Sequence, residues 1–308
     1  MTKLFVMAFD HRNSFMTGFL GLERPPTDRD RVLASTAKML IFEALEAELE
    51  RAALPDGEPA ILVDPRYGKD VVKRARDAGI KCSIPVERSG QDELAFETTP
   101  FYRDIEDLEP DLAKVLIRYN PEGDRGLNQR QRDRILELQE YCRSFGVALI
   151  VELLVPPTQD QVSALEGESP DYGHGYGYDY DTDLRPALSV QAVDELVTSG
   201  IDPDLWKLEG VSTAQEFSLL ASSACGSSQR DCGCLVLGRG ADIDVVQRWV
   251  TTAASVDRYV GFAVGRTLWW EPLALWMSRD IDAAAAKRAI GENYRSLVDL
   301  YLEAERAN

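Results

Sequence analysis

Two lysines lie inside apolar, strand-like segments, a position from which a lysine can do chemistry. Lys114 lies in the segment 113–119 and Lys207 in the segment 205–208, whereas the other six lysines lie outside such segments. A guanidinium retains its proton, but a desolvated lysine beside another cation can become a neutral amine that attacks a carbonyl carbon. Glu152, in the segment 147–155, adds a carboxylate that could transfer protons. These residue types together predict Schiff-base chemistry.

Further polar residues follow or end other apolar segments. Because side chains alternate along a strand, Lys207 shares a face with Glu209, and Lys114 shares one with Arg118. A single buried Lys–Glu pair is often only a structural ion pair, and that reading stays open for each residue taken alone. Guanidiniums and glycine amides at strand ends are suited to phosphate. The candidate substrate-binding residues are Asp10, His11, Arg118, Glu209, Arg239, Gly240, Gly265 and Arg266.

The elements that would position these residues alternate between strand and helix. The eight apolar segments are residues 4–9, 60–63, 82–86, 113–119, 147–155, 205–208, 234–237 and 259–264. Strong helical patterns lie between them, with Asn128 and Asp242 as expected N-cap residues. We therefore predict a (β/α)8 TIM barrel that forms one domain over residues 1–308. A doubly wound sheet is the alternative, but no glycine-rich fingerprint follows the first segment.

One biased stretch interrupts the pattern, within a predicted insertion of residues 157–183 after the fifth strand. Residues 169–183 are rich in Tyr, Gly and Asp and include His174. Such a stretch is typical of a solvated surface loop or of an active-site lid, and both interpretations stay open. We expect no catalytic role for His174.

Charge and hydropathy restrict the class of protein. The 34 basic and 52 acidic residues give a net charge of −18, which repels nucleic acid and anionic membranes. No run of about 18 apolar residues occurs, and the first residues carry no secretory signal pattern. We expect a soluble, cytoplasmic protein that binds neither nucleic acid nor membrane.

Cysteine and histidine usage argues against a metal centre. The five cysteines are odd in number and are expected to be free thiols. Only two histidines occur, too few for a three-His zinc site. We therefore expect neither a metal nor a cofactor.

Six short motifs, in order, carry a resemblance to a known family. They are Ala-Phe-Asp-His-Arg, Lys-Val-Leu-Ile-Arg-Tyr-Asn-Pro, Val-Glu-Leu-Leu-Val-Pro, Leu-Trp-Lys-Leu-Glu-Gly, Leu-Gly-Arg-Gly and Val-Gly-Arg-Thr-Leu-Trp-Trp. Between about Leu4 and about Trp276 the chain resembles the aldolase-type domain of bacterial 5-dehydro-2-deoxygluconokinase proteins of inositol catabolism. It resembles more distantly the class I tagatose 1,6-bisphosphate aldolases.

The resemblance implies a role for each of five residues. Lys207 matches the Schiff-base lysine, Glu152 the proton-transferring carboxylate and Lys114 the second strand lysine. Asp10 matches a residue that binds substrate hydroxyls, and Arg266 matches a phosphate ligand. The implied substrate is a ketose phosphate, with 2-deoxy-5-keto-gluconate 6-phosphate as a candidate that would give dihydroxyacetone phosphate and malonate semialdehyde.

The sequence also departs from the family, which keeps other functions open. His11 stands where the tagatose-type enzymes have Gln, and Glu209 and Arg239 have no identified counterpart there. A sugar-phosphate isomerase or epimerase with Glu152 as base is one alternative, and a non-catalytic sugar-phosphate sensor is another. The long helix predicted over residues 283–305 could serve such a sensor as a partner contact or form an oligomer seam, so a homo-oligomer also stays open.

Overall fold

Eight parallel strands close into a barrel in chain order. The computed structural model describes residues 1–166, 179–228 and 230–308. The strands are Leu4–Phe9 (β1), Glu58–Val63 (β2), Lys81–Pro85 (β3), Leu112–Arg118 (β4), Ala148–Leu154 (β5), Leu205–Glu209 (β6), Gly233–Leu237 (β7) and Tyr259–Val264 (β8). Each strand pairs with its neighbours in sequence, and β1 pairs with β8. The predicted TIM barrel is confirmed.

Helices surround the barrel. They are Asp28–Arg51 (α1), Pro65–Asp77 (α2), Arg103–Leu108 (α3), Arg125–Phe145 (α4), Gln159–Glu166 (α5), Arg185–Thr198 (α6), Ala214–Cys225 (α7), Ile243–Ala253 (α8), Arg266–Ser278 (α9) and Ala283–Arg306 (α10). Short π-helical turns lie at Phe15–Phe19 and Tyr180–Leu184. No helix within the described ranges combines the length and apolarity that a membrane span requires.

Of the two predicted N-cap residues, Asp242 is confirmed in position and Asn128 is wrong. Asp124, not Asn128, caps α4, because its side chain accepts a hydrogen bond from the backbone N–H of Leu127. Asn128 lies within the helix and donates its side-chain amide to the carbonyl of Asn120. Asp242 does precede α8, but its side chain makes no capping hydrogen bond.

The barrel lumen changes character along its length. Its amino-terminal part is filled by an apolar cluster that we call the lumen plug, which comprises Leu4, Val6, Ala8, Ala60, Leu62, Leu112, Ile150, Leu205, Leu235 and Ala263. Strand alternation places the residue two positions later on the same face. Lys114 therefore faces the lumen next to Leu112, one step closer to the carboxyl end of β4, and Lys207 stands in the same relation to Leu205 on β6. The plug forms the floor on which the charged residues lie.

The cysteine expectation is wrong in part. Cys225 and Cys232 form a disulfide that joins the end of α7 to the segment before β7. Cys82, Cys142 and Cys234 are free and buried. The two bonded residues are only seven positions apart, so the turn between them brings their α-carbons to 5.5 Å, within the range of a disulfide.

The C-terminal helix packs inward. Tyr294 and Tyr301 are buried, and their hydroxyls donate to the carbonyls of Phe5 and Tyr259 at 2.9 and 2.6 Å. The apolar stripe on α10 is thus part of the core, so a sensor would need a different contact surface.

The insertion after β5 is described only in part. Residues 167–178, which include His174, lie outside the described residues, so the expectations for the lid and for His174 stay predictions. Beyond them, the hydroxyl of Tyr180 donates to the carbonyl of Val155 at 2.9 Å.

Candidate active site

A cavity of about 260 Å³ opens at the carboxyl ends of the strands. Ten of the eleven predicted site residues line it: Asp10, His11, Lys114, Arg118, Glu152, Lys207, Arg239, Gly240, Gly265 and Arg266. The exception, Glu209, is not among the lining residues, and its Oε1 contacts Nε of Arg239 at 3.1 Å. Barrel closure thus brings together predicted residues from six strands or the loops that follow them.

Lys114 is enclosed by three carboxylates. Its Nζ lies 2.9 Å from Asp10, 2.9 Å from Glu87 and 2.8 Å from Glu152. Nζ donates hydrogen bonds to Asp10 and Glu87. Its contact with Glu152 is an ion pair without hydrogen-bond geometry, since Glu152 Oε2 has no hydrogen-bond partner among the described residues. Burial opposes the charge, yet Asp10, Glu152 and Glu87 raise the pKa of Lys114 well above its ordinary value. Lys114 is therefore a fixed cation.

Lys207 has fewer partners. It is buried on β6, opposite Glu152 of β5 in the strand register, and its Nζ lies 2.9 Å from Glu152 Oε1. Among the described residues, Glu152 is the only carboxylate within 4.0 Å of this nitrogen. The Nζ of Lys207 therefore has fewer ion-pair contacts than that of Lys114 and can still contact a molecule bound in the cavity.

Glu152 bridges the two lysines. Its Oε1 contacts Lys207 and its Oε2 contacts Lys114. Burial favours the neutral acid, but Lys114 and Lys207 outweigh it and lower the pKa of Glu152. The bridge is thus a carboxylate that can accept a proton from Lys207 or from a bound molecule.

Asp10 and His11 form the β1 side of the cavity. Burial opposes ionisation of Asp10, but Lys114 and Lys207 lower its pKa well below the usual range. Burial lowers the pKa of His11 to about 4, although Asp10 at 4.0 Å acts in the opposite direction. The imidazole is therefore neutral near pH 7, and its buried Nδ1 has no hydrogen-bond partner among the residues that the structure describes. A neutral imidazole can donate one hydrogen bond to a ligand or accept one from it.

The β7 and β8 ends form a rim of guanidinium and backbone N–H groups on the cavity. Arg266 begins α9, whose N-cap, Gly265, offers no capping side chain. The Arg266 guanidinium packs on Gly240, where a β-carbon would lie 2.4 Å from Nη2, and donates to the carbonyl of Arg239 at 2.9 Å. Backbone N–H groups at a helix N-terminus and a guanidinium both favour an anion such as phosphate.

Arg239 differs from Arg266 in its partners. Its guanidinium contacts both Glu209 and Asp181, the latter in the π-helical turn before α6. Burial raises the pKa of Glu209, and the nearby Arg185 and Arg239 act against that shift. Arg239 thus has two carboxylate partners, whereas Arg266 has none within 4.0 Å among the described residues.

Arg118 provides a second cation on the opposite wall. It ends β4, four strands around the barrel from β8, and donates to the carbonyl of Gln91 at 2.7 Å. Of the Lys and Arg side chains in the described ranges that are not solvent-exposed, only Arg118 and Arg266 have no carboxylate within 4.0 Å. The cavity thus lies between two sheltered guanidiniums without ion-pair partners.

The sequence analysis missed Glu87. This buried residue lies two positions after β3. Its position as a charged residue directly after an apolar segment was the available signal, and the same signal identified the other strand-end residues. A buried pair between Lys38 and Asp64 was also missed, and Lys38 donates to the carbonyl of His11 at 2.9 Å. Lys38 thereby fixes the backbone that carries His11.

No metal site is evident in the parts of the chain that the structure describes. Those residues contain no group of three or more His, Cys, Asp or Glu side chains that could hold a metal ion.

Comparisons with known proteins agree with the fold. A Schiff-base-forming fructose-1,6-bisphosphate aldolase matches with a TM-score of 0.55 and 13% identity, over 94% of this chain and 93% of the aldolase chain. An archaeal fructose 1,6-bisphosphate aldolase matches with a TM-score of 0.57 and 13% identity, over 96% and 94%. At this identity the likeness shows a shared TIM-barrel fold. A search of curated proteins found no match.

A family model covers almost the whole sequence. The model described as an uncharacterized protein conserved in bacteria, DUF2090, matches residues 1–169 and 178–305. The matched ranges contain all of the strands and all of the predicted site residues. The chain therefore belongs to the bacterial DUF2090 family.

Proposed function

We propose that this chain is a class I aldolase that cleaves a phosphorylated ketose through a Schiff base on Lys207. The observation that carries the proposal is the row Lys114–Glu152–Lys207, in which one carboxylate contacts a fully paired lysine and a less constrained one. The structural likeness to Schiff-base aldolases and the sequence resemblance to the inositol-catabolism aldolase domain agree with it.

The reaction begins with proton transfer from Lys207 to an acceptor such as Glu152. The neutral Nζ then adds to the ketone carbon, and Glu152 returns the proton to the carbinolamine hydroxyl, which leaves as water and gives an iminium ion. Glu152 is then a carboxylate again. Glu152 next takes the proton from the hydroxyl on the β-carbon. The bond between the α- and β-carbons breaks, its electron pair flows into the iminium to give an enamine, and an aldehyde leaves.

The second half of the reaction restores the enzyme. The enamine α-carbon takes up a proton, with Glu152 as donor, and regenerates an iminium. Water adds to this iminium and releases the second product, a ketone, together with the free lysine. Throughout, charged Lys114 stabilises the negative charge on Glu152 and on the reacting oxygen.

The two sheltered arginines indicate the shape of the substrate. We infer that Arg266 and the start of α9 bind its phosphate, and that Arg118 binds a second anionic group at the other end. The candidate 2-deoxy-5-keto-gluconate 6-phosphate has this form, with a phosphate and a carboxylate at opposite ends. Its cleavage would give dihydroxyacetone phosphate and malonate semialdehyde.

Borohydride trapping tests the proposal. The wild-type protein is incubated with dihydroxyacetone phosphate and reduced, and the modified peptide is located by mass spectrometry. We expect the adduct on Lys207 and its complete loss in Lys207→Arg, since a guanidinium forms no imine. The matched variant Lys114→Arg should still be trapped, with slower turnover.

Other outcomes point to other functions. An adduct on Lys114, or cleavage by Lys207→Arg, would contradict the assignment. Product analysis then separates the alternatives, because an isomerase returns an isomer of the ketose phosphate and a sensor returns it unchanged.

A further inference from the structure

Lys114 and Lys207 occupy similar positions but have different surroundings. Both are buried, line the same cavity and contact Glu152. Lys114 has two further carboxylates, from Asp10 and Glu87. Asp10 is already a candidate substrate ligand, whereas the mechanism above gives Glu87 no role.

Glu87 is held from several directions. Its Oε1 accepts from Lys114 at 2.9 Å, and its Oε2 accepts from the backbone N–H of Leu116 at 3.2 Å. Arg12 donates to the backbone carbonyl of Glu87 and lies 3.4 Å from Oε1. Both carboxylate oxygens are thus engaged within the protein.

We propose that Glu87 is a positioning residue that keeps Lys114 a charged ammonium without nucleophilic character, so that only Lys207 reacts with a carbonyl. The proposal rests on the aldolase function proposed above and goes beyond it, because it states why one of two similar lysines is the nucleophile.

The geometry supplies the physical reason. An ammonium has no lone pair, and Lys114 would have to give up one of three ion pairs to lose a proton. Glu87 Oε1 also separates Lys114 from the guanidinium of Arg12. If Glu87 lost its charge, two cations would face each other across a neutral group, which favours loss of the Lys114 proton.

The other charged groups around Lys114 do not replace Glu87. Asp10 and Glu152 remain as anions, but Glu152 is shared with Lys207 and Asp10 faces the cavity, where a substrate hydroxyl can engage it. Lys207 and Arg12 are the nearby cations, each on the far side of a carboxylate. Glu87 also lines the cavity, but both of its carboxylate oxygens already accept hydrogen bonds within the protein, so we expect substrate binding and proton transfer to disturb it least.

Amine labelling of the substrate-free protein tests this directly. The probe is a brief treatment with acetic anhydride between pH 7 and pH 10, followed by peptide mass spectrometry of Lys114 and Lys207. In the wild type we expect Lys207 to be acetylated at least about ten times faster than Lys114. In Glu87→Gln, labelling of Lys114 at a given pH should rise about tenfold or more. Loss of a contacting carboxylate lowers the pKa of a lysine by about one or more, which raises the fraction of neutral amine by that factor.

Glu97→Gln is the matched control. Glu97 lies 3.3 Å from the same Arg12 but is not within 4.0 Å of Lys114, so its variant should leave Lys114 labelling unchanged. Equal labelling of the two lysines in the wild type, or identical effects of Glu87→Gln and Glu97→Gln, would overturn the proposal.

The experiment separates this proposal from the aldolase function. If Glu87→Gln does not fold, the wild-type labelling ratio alone decides. A failure of dihydroxyacetone phosphate trapping in the wild type would refute the proposed function. The labelling ratio of the free protein reports the charge state of Lys114 whether or not trapping occurs.

Discussion

The two ends of the barrel lumen are built by the same strands from opposite kinds of residue. At the amino-terminal end, the lumen plug is apolar and buried. Two positions further along β4, β5 and β6, the same inner face carries Lys114, Glu152 and Lys207. Burial removes the hydration of the charged layer, and only the ion pairs among its residues offset that free-energy cost. Burial of the apolar plug, in contrast, stabilises the fold because it excludes water. The apolar residues that stabilise the barrel and the charged residues proposed to react thus lie in adjacent layers of one lumen.

Truncation of the plug should change stability alone. Leu62 on β2 is fully buried in the plug and does not line the cavity. We expect Leu62→Ala to lower the free energy of unfolding by about 2 to 5 kcal/mol, from lost burial and the space left behind. Denaturant unfolding measures this effect. A matching loss of affinity for dihydroxyacetone phosphate would show that the plug and the charged layer are energetically coupled, which contradicts this prediction.

Removal of a cation from the rim should weaken ligand binding and leave the free energy of unfolding almost unchanged. We expect Arg266→Ala to weaken binding of dihydroxyacetone phosphate by about 1.5 to 3 kcal/mol, ten- to over a hundredfold, because a charge-assisted phosphate contact is lost. Unphosphorylated dihydroxyacetone should be affected far less, and the unfolding free energy should change by less than about 1 kcal/mol. Calorimetric titration of both ligands checks this. An equal loss for both ligands would give Arg266 a structural role.

A pH series should reveal the smallest effect, at His11. Its folded pKa of about 4 lies below the ordinary 6.5, so the unfolded chain binds more protons between these values. Stability from this residue is therefore complete above about pH 6.5 and is lost as the pH falls toward 4. His11→Gln should remove about 1 kcal/mol of the decline in unfolding free energy between pH 6 and pH 5. Parallel declines in both proteins would show that His11 is not buried as a neutral base.

The barrel and most of its cavity could be predicted from local sequence patterns. Short apolar segments alternating with helical ones indicate parallel strands, and side-chain alternation identifies the inner face. Polar residues on that inner face must then meet in the lumen, as Lys114, Glu152 and Lys207 do. The helix start at α4 could not be chosen in this way, because Asp124 and Asn128 are both good capping residues and only the loop geometry selects Asp124.

The pairing of the charges was decided by the tertiary structure. Lys114 meets Asp10 across 104 positions of sequence, and the same closure brings Glu87 to it from β3. The fold also adds Asp181 to Glu209 at Arg239, while Arg118 and Arg266 have no carboxylate within 4.0 Å among the described residues. The sequence by itself determined the period of the strands and the residue types at their ends, because these depend on neighbouring residues. Only the closed barrel decided which charges touch, because Coulomb interactions depend on distances of a few ångströms between segments far apart in the chain.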